Sequence, residues 1–373
     1  MKYFVVGCGI SGATVARRLA DCGKSVCIVE RRNHIGGNMY DYFDDFGILV
    51  HKYGPHTFHT NNIELYNFIA KFSEWSEYKL VCGAEWNGVC TPTPFNFKTI
   101  DQFYSDEDAT ALKNHIRDRY GDREYVSVLE ALESPDSLIK SYAEFLFDND
   151  YSLYTAKQWG IDPKEVDPSV LKRVPLCFSY KEGYFEDRIQ VMPKISYTDF
   201  FKKLLNHSLI DIKLGVNFKD IFHIVGSKIK LIDSEEDIFI YYTGALDELF
   251  SYCYGRLPYR SLEFIWHHND VGSVQNYPVV AYPKEDYTRI TDYSLMQLRE
   301  CSGSTFAIEY SIAHDGSNEP YYPVLTKDSL ELYDRYLTLS KSISNLKICG
   351  RLADFKYYNM DQALERSLSI ELV

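Results

Sequence analysis

The sequence predicts an α/β protein, because its N-terminal residues alternate between strand and helix patterns. The apolar run from Tyr3 to Val6 indicates a buried parallel strand. Small and apolar residues then recur at helical spacing from Ala13 to Ala20, and Gly23 ends this pattern. A second apolar run, from Ser25 to Val29, ends on Glu30. This strand–helix–strand order is typical of a Rossmann-type dinucleotide-binding unit.

The turn after the first strand, Gly7-Cys8-Gly9-Ile10-Ser11-Gly12, matches the GxGxxG pattern of dinucleotide sites. Gly7 permits the tight turn, Gly9 lets the backbone approach a pyrophosphate, and Gly12 lets the helix pack closely on the strand. The helix N-terminus offers free N–H groups and a positive dipole end to the phosphates. Glu30 is placed to accept hydrogen bonds from an adenosine ribose.

A second glycine pair decides which dinucleotide is expected. Arg31 follows the acid directly, and Gly36-Gly37-Asn38 come a few residues later. A basic residue and a Gly-Gly pair after the acid resemble the extended fingerprint of the large FAD-binding families, whereas NAD dehydrogenases usually lack them. The glycines give the backbone a second close approach to the ligand. The sequence therefore predicts FAD.

Two further patterns in this region could carry a different function. Ser11 could suggest a nucleophile, but the GxSxG context is missing and the serine lies in the cofactor turn. His56 and His59 could suggest a metal site, but no third ligand stands at a suitable spacing. We therefore expect Ser11 to contact the cofactor, and we expect no metal.

Composition and charge restrict the class of partner. The 373 residues include 40 Lys and Arg against 53 Asp and Glu, a formal charge of −13. An acidic surface repels nucleic acid and anionic membranes, so neither is an expected partner, and no apolar window is long enough for a membrane span. Nine cysteines without a CxxC pair indicate reduced thiols in a cytoplasmic protein. The 31 tyrosines fit either core packing or hydroxyl donors around a ligand.

The rest of the chain alternates between helical and strand-like regions. An Asn-Gly hairpin is predicted at Glu85 to Val89, and Thr91-Pro92-Thr93-Pro94 is predicted to break regular structure. Helical patterns cover 63–72, 99–154, 198–206, 326–340 and 361 onward; strand patterns cover 39–60, 185–195, 210–214, 255–312 and 348–351.

This order predicts a discontinuous Rossmann-type FAD-binding domain with an inserted helical-bundle domain and a twisted antiparallel β-sheet domain. The FAD-binding domain is expected at 1–75, 197–252 and 340–373. The helical domain is expected at 97–172, with a role in substrate binding or dimerisation. The sheet domain is expected at 76–96, 173–196 and 253–339.

Motifs along nearly the whole chain resemble those of the UDP-galactopyranose mutase family. The most specific are Lys157-Gln158-Trp159-Gly160 and Tyr287-Thr288-Arg289-Ile290. The remaining matches include Tyr53 to Thr60, Pro94-Phe95-Asn96, Leu171 to Pro175, Gly183-Tyr184-Phe185, Tyr254 to Leu257, Glu309-Tyr310-Ser311, Pro320 to Pro323, Gly350-Arg351-Leu352 and Tyr357 to Asp361.

The resemblance implies an isomerase that interconverts the pyranose and furanose forms of a nucleotide-linked sugar. UDP-galactopyranose and UDP-galactofuranose would be the pair, in surface polysaccharide biosynthesis. FAD would act in its reduced form as a nucleophile, with no net redox change. The resemblance also implies a homodimer.

The resemblance assigns roles to individual residues. Arg173 and Arg289 would clamp the pyrophosphate, and His59 would lie near the flavin and the sugar, unless it is a core histidine with a satisfied ring. The other substrate-binding residues would be Tyr151, Tyr154, Thr155, Trp159, Tyr184, Asn276, Tyr322 and Tyr357. Further cofactor contacts would come from His56, Thr57, Arg351, Tyr358, Asn359, Met360, Asp361 and Gln362.

The sequence departs from the family pattern around the substrate rather than around FAD. Leu80 stands where the family usually has Asn or His, and Asp150 replaces an aromatic residue of the uridine pocket. The segment from Thr291 to Met296 is also unlike the family. A variant sugar, N-acetylated or deoxy, therefore stays open, as does the base. An amine-oxidase-like flavin oxidoreductase and a non-catalytic flavoprotein are two further hypotheses, and the arginine pair argues against both.

Overall fold

The computed structural model describes residues 2–160, 162, 174–299 and 301–373. The chain divides into two compact units, each made of separate segments. Unit 1 comprises Met1–Tyr78, Asp187–Ser261 and His314–Val373, and unit 2 comprises Lys79–Glu186 and Leu262–Ala313. The finer division of the second unit into a helical and a sheet domain stays a prediction.

The strands are short in most cases. In chain order they are β1 Lys2–Val6, β2 Val26–Glu30, β3 Asp41–Phe43, β4 Leu49–His51, β5 Phe58–Thr60, β6 Trp75–Glu77, β7 Cys82–Trp86, β8 Val89–Thr93, β9 Tyr125–Val126, β10 Leu176–Cys177, β11 Ile189–Pro193, β12 Ile210–Leu214, β13 Phe222–Val225, β14 Lys228–Leu231, β15 Ile238–Tyr242, β16 Tyr259–Asn269, β17 Val279–Ala281, β18 Arg289–Asp292, β19 Ser304–Ala313, β20 Tyr322–Pro323 and β21 Leu346–Ile348.

Among the described residues, seven helices lie before residue 160 and five follow residue 196. In chain order they are α1 Ile10–Asp21, α2 Ile63–Ala70, α3 Phe97–Phe103, α4 Asp106–Tyr120, α5 Val128–Leu132, α6 Ser137–Leu146, α7 Ser152–Trp159, α8 Tyr197–Leu205, α9 Phe218–Ile221, α10 Leu246–Leu249, α11 Lys327–Lys341 and α12 Met360–Ser369. A π-helical turn, Phe147–Tyr151, joins α6 to α7.

A parallel five-stranded sheet in the order β12-β2-β1-β15-β21 is the centre of unit 1. Successive side chains of β1 alternate between its two faces, as strand geometry requires. Val5 packs in a core with α1 and α8, whereas Phe4 packs in a second core with residues of α9, α10 and α11. The C-terminal helix α12 packs against α1. The predicted Rossmann-type fold is confirmed.

A seven-stranded sheet has the order β20-β16-β19-β18-β17-β7-β8; β20 and the first residues of β16 belong to unit 1, and the rest belongs to unit 2. The pairs β16–β20, β17–β18, β18–β19 and β7–β8 are antiparallel, whereas β17 and β7 are parallel. The helices α3 to α6 share an apolar core with residues of β7, β9 and β10. Trp86 lies at its centre, stacked on Phe103 with ring centroids 4.9 Å apart. The predicted Asn87-Gly88 hairpin joins β7 to β8.

Two local predictions are wrong. Thr91 and Pro92 do not break regular structure, because β8 continues from Val89 through Pro92 to Thr93. Strand β8 is the edge of its sheet, where a proline can lack its N–H without removing a hydrogen bond from a second neighbour. The last parallel strand covers Leu346–Ile348 rather than 348–351, since Gly350 turns the backbone with φ +109°.

Candidate active site

The glycine turn of unit 1 has the geometry that its sequence predicts. Gly7 has φ +100°, a conformation that favours glycine. A Cβ added to Gly12 would lie 1.9 Å from the carbonyl oxygen of Gly7, so only glycine lets α1 approach the strand. A Cβ on Gly37, whose φ is +57°, would lie 2.7 Å from the Cα of Gly9. The two glycine motifs therefore pack directly against each other.

A cavity of about 220 Å³ lies beside this turn, where β1, β2 and β15 end and α1 begins. Ligands of open α/β sheets bind at this edge. The N-terminus of α12, from Asn359, contributes a second set of helix amides. The predicted cofactor residues that line the cavity are Gly7, Gly9, Ser11, Gly12, Glu30, Arg31, Gly37, Asn38, His56, Arg351, Asn359 and Met360.

The carboxylate of Glu30 is buried and held by backbone amides. One oxygen accepts from the N–H of Cys8 at 2.8 Å, and the other accepts from the N–H of Arg32 at 2.9 Å. These bonds tie the end of β2 to the glycine turn. A carboxylate has further lone pairs, so Glu30 can still accept from a ribose hydroxyl.

Four predicted cofactor residues do not line this cavity. The hydroxyl of Thr57 is buried and has no hydrogen-bond partner among the described residues. The hydroxyl of Tyr358 donates to Asp354 at 3.3 Å, and burial, followed by the charge of Asp354, raises its pKa to about 12. Asp361 and Gln362 form hydrogen bonds that shape the first turn of α12. Their cofactor roles stay predictions.

His59 has a partner within unit 1. Its Nδ1 lies 2.7 Å from a carboxylate oxygen of Asp187, and the other oxygen of Asp187 accepts from Asn61 at 2.8 Å. The ring is 8% exposed. This arrangement matches the expectation of a core histidine with a satisfied ring, and a role at the substrate stays a prediction.

Two tyrosines that were predicted to bind the substrate lie together in unit 1. The rings of Tyr322 and Tyr357 meet edge to face with centroids 5.4 Å apart. The guanidinium of Arg351 lies 5.4 Å from the ring of Tyr357. Tyr322 is buried on β20, where it pairs with Arg260 of β16. The fold thus brings a side chain of β20 into contact with a side chain of the loop before α12.

Sequence reasoning missed two acids that hold the arginines of this cavity: Glu248, which lines it, and Glu319, which does not. Glu319 accepts hydrogen bonds from both Arg31 and Arg32, the latter at 2.9 Å. A carboxylate oxygen of Glu248 lies 3.5 Å from Nη1 of Arg31. Neither acid stands in a recognisable motif, and both come from segments far from β2 in the sequence. The one signal in the sequence was the pair of adjacent arginines, Arg31 and Arg32, whose positive charges favour acidic partners.

In unit 2, Arg289 begins β18 and is held by a buried carboxylate. Its Nη2 donates to Oε2 of Glu309 at 2.8 Å, and the two residues are direct partners in the β18–β19 ladder. Glu309 is buried, whereas the side chain of Arg289 is 26% exposed. The ion pair fixes one side of the guanidinium. Arg173, the second predicted clamp residue, lies outside the described residues.

Helix α7 is fastened to the loop that precedes Arg289. The ammonium of Lys157 donates to the carbonyls of Tyr282 and Tyr287, each at 2.8 Å, and to that of Glu285. The hydroxyl of Ser311 donates to the carbonyl of Gln158 at 2.7 Å. These bonds explain the physical role of the Lys-Gln segment: it orients α7 against β19 and fixes the turn before β18.

The other predicted substrate residues of unit 2 differ in exposure. Tyr151 is buried, packs on Phe95 and donates to the carbonyl of Val174 at 2.7 Å. These contacts hold its ring in the helical core. Trp159 and Thr155 are buried, Tyr154 and Tyr184 are half-buried, and Asn276 is exposed in a loop. Their contacts with substrate stay predictions.

Asp150, one of the departures from the family pattern, gives a testable pH effect. Burial raises its pKa to about 7, although Lys157 acts in the opposite direction. Because the unfolded carboxyl ionises near pH 4, the stability of the fold falls as the pH rises from about 4 to about 7 and stays reduced above that. We expect Asp150→Asn to raise Tm by roughly 3 °C or more at about pH 8, with a smaller gain at about pH 5.

The control for this prediction is Asp118→Asn, which changes an exposed carboxyl on α4. Thermal unfolding of both variants at the two pH values measures the effect. A gain for Asp150→Asn that is equal at both pH values, or no gain, contradicts the buried-carboxyl explanation.

Three findings of the described residues concern metal ligands, membrane spans and cysteines. Within its ranges, no group of three or more His, Cys, Asp or Glu is arranged to hold a metal ion. No helix of the described residues is long and apolar enough to cross a membrane. The nine cysteines, all of which the structure describes, are free thiols.

A Rossmann-type sheet whose two glycine motifs and terminal acid, Glu30, line one cavity defines a flavin-binding protein. Comparison with known proteins supports this class. Residues 150–357 match the model of the UDP-galactopyranose mutase family, and residues 5–72 match the NAD(P)-binding Rossmann-like domain. The chain belongs to the UDP-galactopyranose mutase family and is an isomerase of the intramolecular-transferase type.

Similar proteins cover nearly the whole chain. It is 34% identical to the dTDP-fucopyranose mutase of Escherichia coli, covering 98% of this chain and 96% of that protein. It is also 34% identical to a probable UDP-galactopyranose mutase of Klebsiella pneumoniae, covering 98% and 93%. A reduced UDP-galactopyranose mutase shares the fold with TM-score 0.71 and 14% identity, covering 98% and 94%. A putrescine oxidase double mutant has TM-score 0.58 and 13% identity, covering 98% and 97%.

Proposed function

We propose that this protein interconverts the pyranose and furanose forms of a UDP-linked sugar, with UDP-galactopyranose as the leading substrate, for surface polysaccharide biosynthesis. The observation that carries the proposal is the position of Arg289. A buried carboxylate holds its guanidinium on β18, in a protein that also has a cofactor cavity beside its glycine turn. A diphosphate-bearing substrate needs such a cation, whereas an amine-oxidase-like oxidoreductase does not. Family membership supports the same reaction class.

The cavity of unit 1 fits FAD. The close approach of Gly9 and Gly37 leaves backbone rather than side chain at the pyrophosphate position. Glu30 would bind the ribose, while the N-terminal amides of α1 and α12 would face the phosphates and the polar edge of the flavin. Reduced FAD, when bound, supplies the nucleophile for covalent catalysis without net redox change.

The chain's own residues act mainly on the leaving group. Arg289 would bind the diphosphate through paired N–H donors, and its attraction grows as the departing UDP gains negative charge. Arg173 would be the second clamp. Hydroxyl donors to the same phosphates would be Tyr184, Tyr322 and Tyr357. Trp159 would cover the sugar, His59 would lie near the flavin and the sugar, and Tyr151, Tyr154, Thr155 and Asn276 would bind the nucleoside.

A second substrate has specific support. The Escherichia coli relative is named for dTDP-fucopyranose, a sugar nucleotide with a different base and sugar. Leu80 is buried and offers no side-chain hydrogen bond where the family usually has a polar residue. A deoxy or otherwise altered sugar nucleotide is therefore the main alternative to UDP-galactopyranose. Loss of hydrogen-bonding partners at a sugar can change specificity by orders of magnitude.

We further propose a cytoplasmic homodimer that binds neither nucleic acid nor a membrane surface. The formal charge of −13 supports the absence of polyanionic partners. Nine free thiols support a reducing compartment. Sedimentation of the holoprotein measures the oligomeric state.

The experiment that tests the function uses the purified flavoprotein with and without dithionite. Each form is incubated with UDP-galactopyranose, its N-acetylated and 6-deoxy analogues and the corresponding dTDP-sugars, and chromatography measures furanose product. We expect product only from the reduced protein. Oxidation of an amine or alcohol with no isomerised sugar nucleotide contradicts the proposal.

A further inference from the structure

A cluster of charges lies beside the cofactor cavity next to Glu30, and we call it the Arg31–Glu319 cluster: Arg31, Arg32, Glu248 and Glu319. Arg31 and Arg32 come directly after the ribose acid and both line the cavity. Two adjacent guanidiniums repel each other unless an anion lies between them. One oxygen of Glu319 accepts from both, and it is the closest anion to each of them.

The two arginines depend on Glu319 to different degrees. Arg32 also donates to Asn38 at 3.0 Å and stacks on the ring of Tyr53 at 4.2 Å, so it has anchors of its own. Among the described residues, the other carboxylates that act on Arg31 are Glu248, with an oxygen 3.5 Å from Nη1, and the more weakly acting Glu30. Loss of the Glu319 carboxylate would therefore release Arg31 first.

Glu319 also belongs to a segment that reaches the cavity from elsewhere in the fold. Pro320 and Tyr321 follow it and line the cavity, and Tyr322 begins β20. The Arg31–Glu319 cluster thus joins the end of β2 to the segment before β20. Although burial alone would raise the pKa of Glu319, the charges of Arg32 and Arg31 lower it, so the carboxylate stays ionised at neutral pH.

We propose that Glu319 is a positioning residue for FAD, which acts by holding Arg31 against the adenosine end of the cavity. Glu319 itself does not line the cavity, whereas Arg31 does. A guanidinium held in one orientation loses less side-chain entropy when the cofactor binds, which strengthens binding without a new contact. This inference rests on the FAD site of the proposed function and names a residue outside the recognised motifs.

The test measures the FAD dissociation constant of wild type and Glu319→Gln by the fluorescence of released flavin. We expect an increase of up to about tenfold, since ordering one long side chain on binding costs about 0.5–1.5 kcal/mol. At saturating FAD the turnover number should recover to a larger extent than the affinity, and the variant should still unfold in one cooperative transition, which separates positioning from a general loss of structure. Glu319→Asp keeps the charge and should recover part of the affinity.

A matched control and a double-mutant cycle locate the effect. Glu371→Gln makes the same chemical change at an exposed ion pair with Lys347 and should leave FAD affinity unchanged. In an Arg31→Gln background, Glu319→Gln should add little, because the side chain that it positions is already gone. Full additivity of the two changes, or unchanged affinity in Glu319→Gln, overturns the proposal. A wild-type protein that binds no FAD would instead overturn the proposed function, and this inference with it.

Discussion

Replacement of Arg289 by alanine should lower kcat/KM by about a thousandfold while the protein keeps its FAD. The physical reason is that negative charge grows on the diphosphate as UDP departs, and removal of one preorganised donor to such charge costs about 100- to 1,000-fold. The change also leaves the buried carboxylate of Glu309 without its cation, so the effect should lie at the upper end. Turnover by the dithionite-reduced variant and its flavin absorbance measure the two quantities.

The control for this variant is Arg123→Ala, which removes an exposed ion pair with Glu130 in the same unit. That change should leave turnover within about twofold of wild type, since exposed ion pairs contribute little to stability. Flavin loss in Arg289→Ala would mean that Arg289 supports the cofactor rather than the substrate. Normal turnover would remove the observation on which the proposed function depends.

Replacement of Gly37 by alanine should weaken FAD binding by at least about a hundredfold. The added Cβ would lie 2.7 Å from the Cα of Gly9, a backbone atom that cannot move aside without opening the glycine turn. Displacement of this turn moves the amides that approach the pyrophosphate, and small shifts of such donors are costly. Equilibrium dialysis of the variant against FAD measures the loss.

The structure provides a matched control for this substitution. Gly226, in the turn between β13 and β14, has φ +58° against +57° for Gly37, but a Cβ there meets nothing within 4 Å. Gly226→Ala therefore carries the same left-handed backbone cost, about 1 kcal/mol, without the steric conflict. It should lose a little stability and retain FAD. Equal FAD loss in both variants would attribute the effect to backbone strain alone.

Much of unit 1 could be predicted because its signals are local. The GxGxxG turn, the helix that follows it and the acid at the end of β2 lie within one short stretch, and each follows from backbone sterics or helix-end charge. The structure confirms their geometry: a Cβ on Gly12 would collide with the carbonyl oxygen of Gly7, and Glu30 is the last residue of β2. Helix starts were also predictable where a capping side chain marks them, as at Asn62, which accepts from the N–H of Glu64.

Features that depend on residues far apart in the sequence could not be predicted. Nothing near Glu319 indicates that it will meet Arg31 and Arg32, and only the fold brings these segments together. A prediction that β8 continues through Pro92 requires the knowledge that β8 is an edge strand, and a local sequence pattern does not contain this information. The buried carboxyl of Asp150 is likewise a property of its surroundings.

The cavity beside the glycine turn is assembled from segments that lie far apart in the sequence. Residues at the ends of β1 and β2 and at the start of α1 form one wall, whereas Gly350, Arg351 and the N-terminus of α12 form another. A partly synthesised chain that has folded only β1, α1 and β2 therefore lacks part of the binding site. We expect flavin capture during synthesis to follow the appearance of α12 rather than that of the glycine turn.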